Sequence, residues 1–178
     1  LNLAKNAIER ILSEEKVDVI LFTEMFLTGY PPEDLILRDD LLFAVEEALE
    51  GLSKISPDSY IVMGYPRKIG QNIFNSAGVL HNNEVVLEYH KQELPNYEVF
   101  DEKRYFSPGK GPGIFKIGDL KLALTVCEDI WHTKAVRQAS RRGADLILNL
   151  NASPFHLNKL KERKELISSH SKKYKLPI

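Results

Sequence analysis

Three chemically reactive side chains follow three strand-like segments of the sequence. Cys127, the only cysteine, comes directly after the apolar run of residues 120–126. Glu24 follows the run of residues 17–22, and Lys91 follows the run of residues 84–89. A thiol, a carboxylate and an ammonium group at three strand ends form a possible active site. The competing interpretation of a lone cysteine is a small apolar residue in a core.

The three groups together have the chemistry of acyl transfer through a thioester. A free thiol is mostly protonated at neutral pH, with a pKa of about 8.5, and must lose its proton to attack. Glu24 is a candidate general base for that proton and would return it to the leaving group. Lys91 could favour the thiolate, or hold the oxyanion together with the backbone N–H of Glu128. Spacing alone leaves open that Glu24 and Lys91 are solvated surface charges.

Composition limits the class of protein. A chain of 178 residues with 43% hydrophobic and 28% charged residues is typical of one soluble globular domain. The net charge of −1 gives no basic surplus for nucleic acid or an anionic membrane. A single cysteine cannot form an internal disulfide, which is typical of a reducing, cytoplasmic compartment. No apolar stretch approaches the roughly 18 residues of a membrane span.

The order of the elements predicts an α/β fold. Helical spacing of apolar residues predicts helices over residues 2–15, 33–52, 133–142 and 158–174. Strands are predicted over residues 17–22, 59–65 and 145–150, and hairpins over residues 72–89 and 114–126. Because hairpins pair antiparallel strands, the sheets should be mixed. The connection of residues 92–113 is long enough to be functional or mobile.

Both ends of the sequence suggest an incomplete domain. The first predicted helix has no preceding strand to pack beside, and a further strand would begin near Leu176. We therefore expect residues 1–178 to form a single domain that is truncated at both ends.

Four segments around the candidate residues resemble a known family. They are Thr23-Glu24-Met25-Phe26-Leu27-Thr28-Gly29-Tyr30-Pro31-Pro32-Glu33-Asp34-Leu35, residues 91–106, Cys127-Glu128-Asp129-Ile130-Trp131 and Asn151-Ala152-Ser153-Pro154-Phe155. They are similar to the nitrilase (carbon–nitrogen hydrolase) superfamily, whose members use a Glu–Lys–Cys triad. Within it, the run from Tyr30 to Leu35 and the block Leu94-Pro95-Asn96-Tyr97 resemble the glutamine amidotransferase domains of glutamine-dependent NAD⁺ synthetases.

The resemblance implies a role for each catalytic candidate. Glu24 would be the base, Lys91 the cation that stabilises the oxyanion and Cys127 the nucleophile. Glu102 matches a second glutamate that lies beside the triad and helps to position it. Without the resemblance, Glu102 would be interpreted as a solvated loop charge.

Four further positions match residues that bind the substrate in the family, which is glutamine for the amidotransferase domains. They are Tyr97, Ser153, Lys159 and, for the α-amino group, Glu128. Their structural alternatives are a packing aromatic for Tyr97, a helix cap for Ser153 and a solvated helix face for Lys159. The implied reaction is hydrolysis of the glutamine side-chain amide, in which ammonia leaves and water releases glutamate from a thioester.

The implied fold is a four-layer α-β-β-α sandwich, usually paired across subunits as a homo-oligomer. In the full synthetases the ammonia reaches a second domain and attacks adenylylated nicotinic acid adenine dinucleotide. The Ser-Gly-Gly-x-Asp-Ser phosphate loop of that domain does not occur here. We therefore expect that this chain binds no cofactor or metal. ATP and Mg²⁺ are expected only for the absent synthetase domain.

Three other functions remain as alternatives. A stand-alone amidase or carbamoylase of the same superfamily would keep the triad but alter Tyr97, Ser153 and Lys159. A papain-like hydrolase would need a histidine near Cys127, and five are present: His81, His90, His132, His156 and His170. An inactive fragment or a regulatory binding module is the non-enzymatic interpretation.

Overall fold

The computed structural model describes residues 2–55, 58–154 and 157–178. Its helices are α1 (Asn2–Glu14), α2 (Asp39–Ser53), α3 (Glu102–Tyr105), α4 (Thr133–Arg141) and α5 (Lys159–Tyr174). Its strands are β1 (Val19–Leu21), β2 (Tyr60–Ile69), β3 (Asn72–His81), β4 (Glu84–His90), β5 (Gly113–Ile117), β6 (Leu120–Val126) and β7 (Leu146–Leu150). Two short 3₁₀ helices span Glu33–Leu37 and Cys127–Trp131.

The strands form two mixed sheets, as the two predicted hairpins require. The first has the order β1-β2-β3-β4, with β1 parallel to β2 and both hairpin pairs antiparallel. Strands β1 and β4 therefore run in the same direction and end at the same edge. The second sheet has the order β5-β6-β7, in which β6 and β7 are parallel and also end together.

The sheets pack face to face, with helices on both outer surfaces. Val62, Ala77 and Val79 of the first sheet share one core with Leu124 and Val126 of the second. Helices α1 and α2 cover the first sheet through a separate apolar cluster. Helices α4 and α5 cover the second sheet in the same way. The predicted four-layer α-β-β-α sandwich is confirmed.

Several element boundaries differ from the prediction. The predicted helix of residues 33–52 is interrupted at Arg38, whose extended backbone (φ −88°, ψ 120°) separates a 3₁₀ turn from α2. In that turn Ile36 is buried and Leu35 is 56% exposed. In α1, Leu3 is exposed and Ala4 packs on the sheet. Apolar periodicity located these helices correctly, but the rotation of each helix depends on the sheet that it covers.

The connection between β4 and β5 contains α3, which brings Glu102 to the edge where β1 and β4 end. Its backbone is held to the chain before it, because the Glu102 N–H donates to the Pro95 carbonyl at 3.1 Å. This connection, predicted to be functional or mobile, thus supplies one of the candidate residues. Among the described residues, no helix is long and apolar enough to cross a membrane.

Candidate active site

Lys91 is the centre of a buried charge cluster. Its Nζ lies 2.8 Å from Oε1 of Glu24 and 2.7 Å from Oε1 of Glu102. All three residues are at most 3% exposed. Burial opposes the charged form of Lys91, but the two carboxylates outweigh it and raise its pKa above the ordinary value. Lys91 is therefore a fixed cation at neutral pH.

Glu24 is held by hydrogen bonds from two other segments. Asn75 on β3 donates from Nδ2 to Oε1 at 2.8 Å, and the Ala152 N–H donates to Oε2 at 3.1 Å. Behind Glu24, Gly64 on β2 approaches so closely that a Cβ there would lie 2.7 Å from the Glu24 Cα. The β2 backbone thus limits how closely the Glu24 backbone can approach this strand.

Glu102 receives a second hydrogen bond from the loop that follows Glu24. The Tyr30 hydroxyl donates to its Oε1 at 2.9 Å. Burial raises the pKa of Glu102, Lys91 lowers it, and the neighbouring Glu24 raises it again. Burial, followed by the charge of Glu102, raises the pKa of the Tyr30 hydroxyl far above its ordinary value. Tyr30 therefore stays a hydrogen-bond donor, which suits a position beside two carboxylates.

Cys127 opens the 3₁₀ turn that follows β6, with its backbone in the left-handed region (φ 43°). Such a conformation is rare for a residue with a side chain and is often found at functional sites. The thiol is buried beside Glu24, Lys91 and the Ala152 N–H. Burial raises its pKa to about 12, the charge of Glu24 adds to the rise and Lys91 opposes it. At rest the sulfur is therefore a neutral thiol, and a base must remove its proton during attack.

A cleft of about 490 Å³ lies beside this cluster and is lined in part by Pro95, Tyr97, Glu128 and His132. The Tyr97 hydroxyl donates to Oε2 of Glu128 at 2.9 Å, and His132 Nε2 lies 3.3 Å from its Oε1. Burial and then the bond to Glu128 raise the pKa of Tyr97 to about 12. Glu128, the residue after Cys127, thus contributes a carboxylate to the wall of the cleft.

Two cations lie near the segment that follows β7. The Arg163 guanidinium donates to the Ser153 hydroxyl at 2.5 Å, and both residues are partly exposed. One helical turn earlier on α5, Lys159 Nζ sits 4.3 Å from the centre of the Trp131 ring. This cation–π contact keeps Lys159 beside the residue that ends the Cys127 turn.

A sequence profile of the carbon-nitrogen hydrolase family matches residues 1–173. The chain belongs to the carbon–nitrogen hydrolase family. The resemblance from the four segments is thereby confirmed at the level of the family.

Several curated relatives are glutamine-dependent NAD(+) synthetases. The protein from Xylella fastidiosa (strain Temecula1) is 36% identical over 167 residues, which cover 93% of this chain and 31% of that protein. The protein from Aquifex aeolicus (strain VF5) is 38% identical over 172 residues, covering 94% of this chain and 30% of that protein. This carbon–nitrogen hydrolase chain thus spans about a third of the length of these relatives.

Two solved structures are also similar to this chain. The glutamine-dependent NAD⁺ synthetase of Acinetobacter baumannii, solved with ADP, superposes with a TM-score of 0.92 at 34% identity. That match covers 98% of this chain and 34% of the synthetase chain. A nitrilase-superfamily amidase from Nesterenkonia superposes with a TM-score of 0.83 at 25% identity, covering 97% of this chain and 65% of the amidase.

The fold brings the predicted residues of this carbon–nitrogen hydrolase together in groups. Glu24, Lys91, Glu102 and Cys127 form one buried cluster. Tyr97 pairs with Glu128 at the neighbouring cleft. Ser153 pairs with Arg163, and Lys159 lies over the Trp131 ring. Phe155 of the fourth predicted segment lies outside the described residues, as does His156.

The histidines within the described ranges have partners other than Cys127. His90 lies 2.8 Å from the Ser76 hydroxyl, His132 pairs with Glu128, and His81 and His170 stack or pack against tyrosine rings. The papain-like alternative loses its support at these four positions. Across the same described ranges, no group of three or more His, Cys, Asp or Glu side chains is placed to hold a metal ion.

Sequence reasoning missed two buried polar residues next to the cluster. Asn75 donates a hydrogen bond to Glu24, and Asp129 accepts hydrogen bonds from backbone N–H groups on either side of the site. Asn is depleted in strands, so an Asn within the mostly apolar run of residues 73–80 was a usable signal. Asp129, two residues after Cys127, resembled an ordinary charge in a turn.

Proposed function

We propose that this chain is a glutaminase domain, which hydrolyses the side-chain amide of L-glutamine through a thioester on Cys127. The observation that carries the proposal is the buried cluster of one thiol, one ammonium group and two carboxylates. Such a cluster costs several kcal/mol of desolvation, by rough estimate, and is a poor device for stability alone. The names of the relatives, glutamine-dependent NAD(+) synthetases, indicate the amide.

The first step transfers the thiol proton to Glu24 while the sulfur attacks the amide carbon. Because the resting thiol has a pKa of about 12, a base in direct contact is needed. The electron pair of the carbonyl moves onto its oxygen. Two N–H bonds of Lys91 serve Glu24 and Glu102, and an ammonium group has three. The third has no acceptor among the described residues and can stabilise the oxyanion together with the backbone N–H of Glu128.

The second step expels ammonia and then consumes water. Glu24 returns its proton to the amide nitrogen as the carbon–nitrogen bond breaks, which leaves a γ-glutamyl thioester. A water molecule then gives a proton to Glu24 and attacks the thioester carbon. When the carbon–sulfur bond breaks, the proton goes back to sulfur and glutamate leaves. Glu102 does not exchange protons in this scheme; it keeps Lys91 in place.

Charges on two sides of the cluster suit an α-amino acid. We propose that Glu128, oriented by Tyr97, binds the α-ammonium group. We propose that Ser153 and Lys159 bind the α-carboxylate. A simple aliphatic amide carries neither charge and would make neither of these contacts. This pattern favours glutamine over the substrates of a stand-alone amidase, which is the second candidate and is supported by the likeness to the Nesterenkonia amidase.

The ammonia would serve a synthetase that makes NAD⁺ from nicotinic acid adenine dinucleotide in a separate domain or subunit. We propose that ATP and Mg²⁺ act only there, and that the glutaminase domain itself uses no cofactor. We further propose a cytoplasmic location and a homo-oligomer, with no nucleic-acid or membrane partner.

The test is glutamate release from glutamine by the purified chain and by Cys127→Ala, with mass spectrometry for a γ-glutamyl adduct. We expect release and adduct in the parent chain and neither in the variant. Equal release by both would overturn the thioester mechanism. If acetamide or butyramide were hydrolysed as fast as glutamine, the amidase function would be favoured instead.

A further inference from the structure

Asp129 is a fully buried carboxylate (0% exposed) in the turn that begins at Cys127. Its two oxygens accept hydrogen bonds from four donors. These are the Val126 N–H at 2.9 Å, the Tyr89 hydroxyl at 2.7 Å, the Gln92 N–H at 3.0 Å and the Glu93 N–H at 2.9 Å. One side chain thus accepts hydrogen bonds from three backbone N–H groups at or just after the ends of β4 and β6.

The positions of these donors connect Asp129 to both reactive groups. Val126 immediately precedes Cys127, and it lies on β6 of the second sheet. Gln92 and Glu93 immediately follow Lys91, just beyond β4 of the first sheet. Oδ2 accepts from Val126, whereas Oδ1 accepts from Gln92 and Glu93. The carboxylate therefore bridges the two sheets at the edge where the site lies.

The hydrogen bonds of Lys91 itself do not supply this connection. Its ammonium group is bound by Glu24, after β1, and by Glu102, on α3. Both contacts order Lys91 on the first-sheet side of the site. The turn that carries Cys127 belongs to the second sheet, so its distance from Lys91 needs a link between the sheets. Asp129 is such a link, and each of its bonds is strengthened by its charge.

We propose that Asp129 is a positioning residue that sets the separation between the Cys127 sulfur and the Lys91 ammonium group. It acts through the backbone on either side of the site and does not touch the substrate. This role rests on the proposed function only in taking Cys127 as the nucleophile. It predicts that weakening the bridge lowers the reactivity of a correctly folded site.

The decisive variant is Asp129→Asn, which keeps the shape and replaces one acceptor oxygen by a donor. In either orientation its NH₂ group faces hydrogen-bond donors, which loosens one side of the bridge. Tyr89→Phe is a milder variant that removes one bond to Oδ2, together with the longer bond that the hydroxyl accepts from Gln92 Nε2 at 3.3 Å. Its matched control is Tyr65→Phe, because Tyr65 is also buried and also donates to a carboxylate, Glu88, at 2.7 Å. Tyr65 lies on the helix-covered side of the first sheet, in another cluster.

The measurement is the rate at which the glutamine analogue 6-diazo-5-oxo-L-norleucine labels Cys127, beside circular dichroism and thermal unfolding. The only cysteine makes labelling unambiguous. We expect a loss on the order of 100-fold in Asp129→Asn, as for a small misplacement of reacting groups. Tyr89→Phe should lose about fivefold, the equivalent of one ordinary hydrogen bond, and Tyr65→Phe less than twofold.

A second readout separates this role from loss of stability. The pH profile of Cys127 alkylation by iodoacetamide should move to higher pH in Asp129→Asn, because a larger separation weakens the lowering of the thiol pKa by Lys91. It should not move in Tyr65→Phe. Folded Asp129→Asn with labelling rate and pH profile unchanged would overturn the proposal. If Asp129→Asn does not fold, equal labelling rates of Tyr89→Phe and Tyr65→Phe would overturn it. Failure of the parent chain to react with the analogue or with glutamine would instead count against the proposed function, and the iodoacetamide profiles would still decide the role of Asp129.

Discussion

Gly64→Ala is a single-methyl test of how the β2 backbone positions Glu24. A Cβ at this residue would lie 2.5 Å from the Met25 nitrogen, 2.7 Å from the Glu24 Cα and 2.7 Å from the Thr23 carbonyl oxygen. All three are backbone atoms, so no side chain can rotate away. Restoring a contact of 3.4 Å requires the Glu24 Cα to move by about 0.7 Å.

A shift of that size has two expected consequences. Overpacking a buried site costs about 1–3 kcal/mol, which should lower the free energy of unfolding. Displacing a general base by nearly an ångström should also lower turnover on the order of 100-fold in protein that remains folded. The assays are urea unfolding, and glutamate release at a temperature where the variant is fully folded.

Gly51→Ala is the matched control. Gly51 lies in α2, and a Cβ there would have no atom within 4 Å. The same chemical change should therefore stabilise the chain by about 0.4–1 kcal/mol and leave turnover unchanged. The reasoning would be refuted if Gly64→Ala retained full turnover, or if its loss matched the fraction of unfolded protein.

Three further predictions concern the charged groups. Lys91→Met leaves two buried carboxylates without their cation and should lower the free energy of unfolding in urea by about 3–5 kcal/mol. Lys134→Met, at a surface pair, should lower it by less than about 1 kcal/mol. Equal losses in the two variants would contradict the buried pairing. The Cys127 thiol, with its pKa raised from 9.0 to about 12, keeps its proton in the folded chain after the unfolded chain has lost it. The unfolded state then binds fewer protons than the folded state. Between pH 9.0 and about 12, this thiol therefore lowers the free energy of unfolding by up to about 1.4 kcal/mol per pH unit. Cys127→Ala should flatten the fall in unfolding free energy there, and parallel pH curves for variant and parent would refute this. Lys159→Met should raise the KM for glutamine about tenfold with kcat little changed, since it removes one charged contact to the substrate. Lys161→Met, which removes an exposed cation from the same helix, should change neither KM nor kcat. A fall in kcat alone in Lys159→Met would argue against a binding role.

The sequence predicted the elements well where the apolar pattern was strong. Both hairpins and the four main helices occur close to the predicted residues, because alternation and helical spacing report directly which face is buried. The prediction was weaker at β1, which has three residues rather than six, and at the break at Arg38. Those boundaries depend on pairing with β2 and on packing against the sheet, which are not local properties.

The candidate site was predicted by residue type and order along the chain. The three strand ends identified Glu24, Lys91 and Cys127, and the family resemblance added Glu102. The spacing contained no information on distance. Glu24 and Lys91 are 67 residues apart, and both follow strands that end at the same side of the first sheet. Asn75 could have been noticed as a polar residue in a strand.

The sequence by itself determined which reactive groups the chain possesses, on which kinds of element they lie and to which family the chain is similar. Only the tertiary structure decided that Lys91 bridges two carboxylates, that the Cys127 thiol is protonated at rest, and that Asp129 connects the two sheets. The physical reason is that hydrogen bonding and desolvation act between neighbours in space. Residues far apart in sequence become such neighbours only when the two sheets pack face to face.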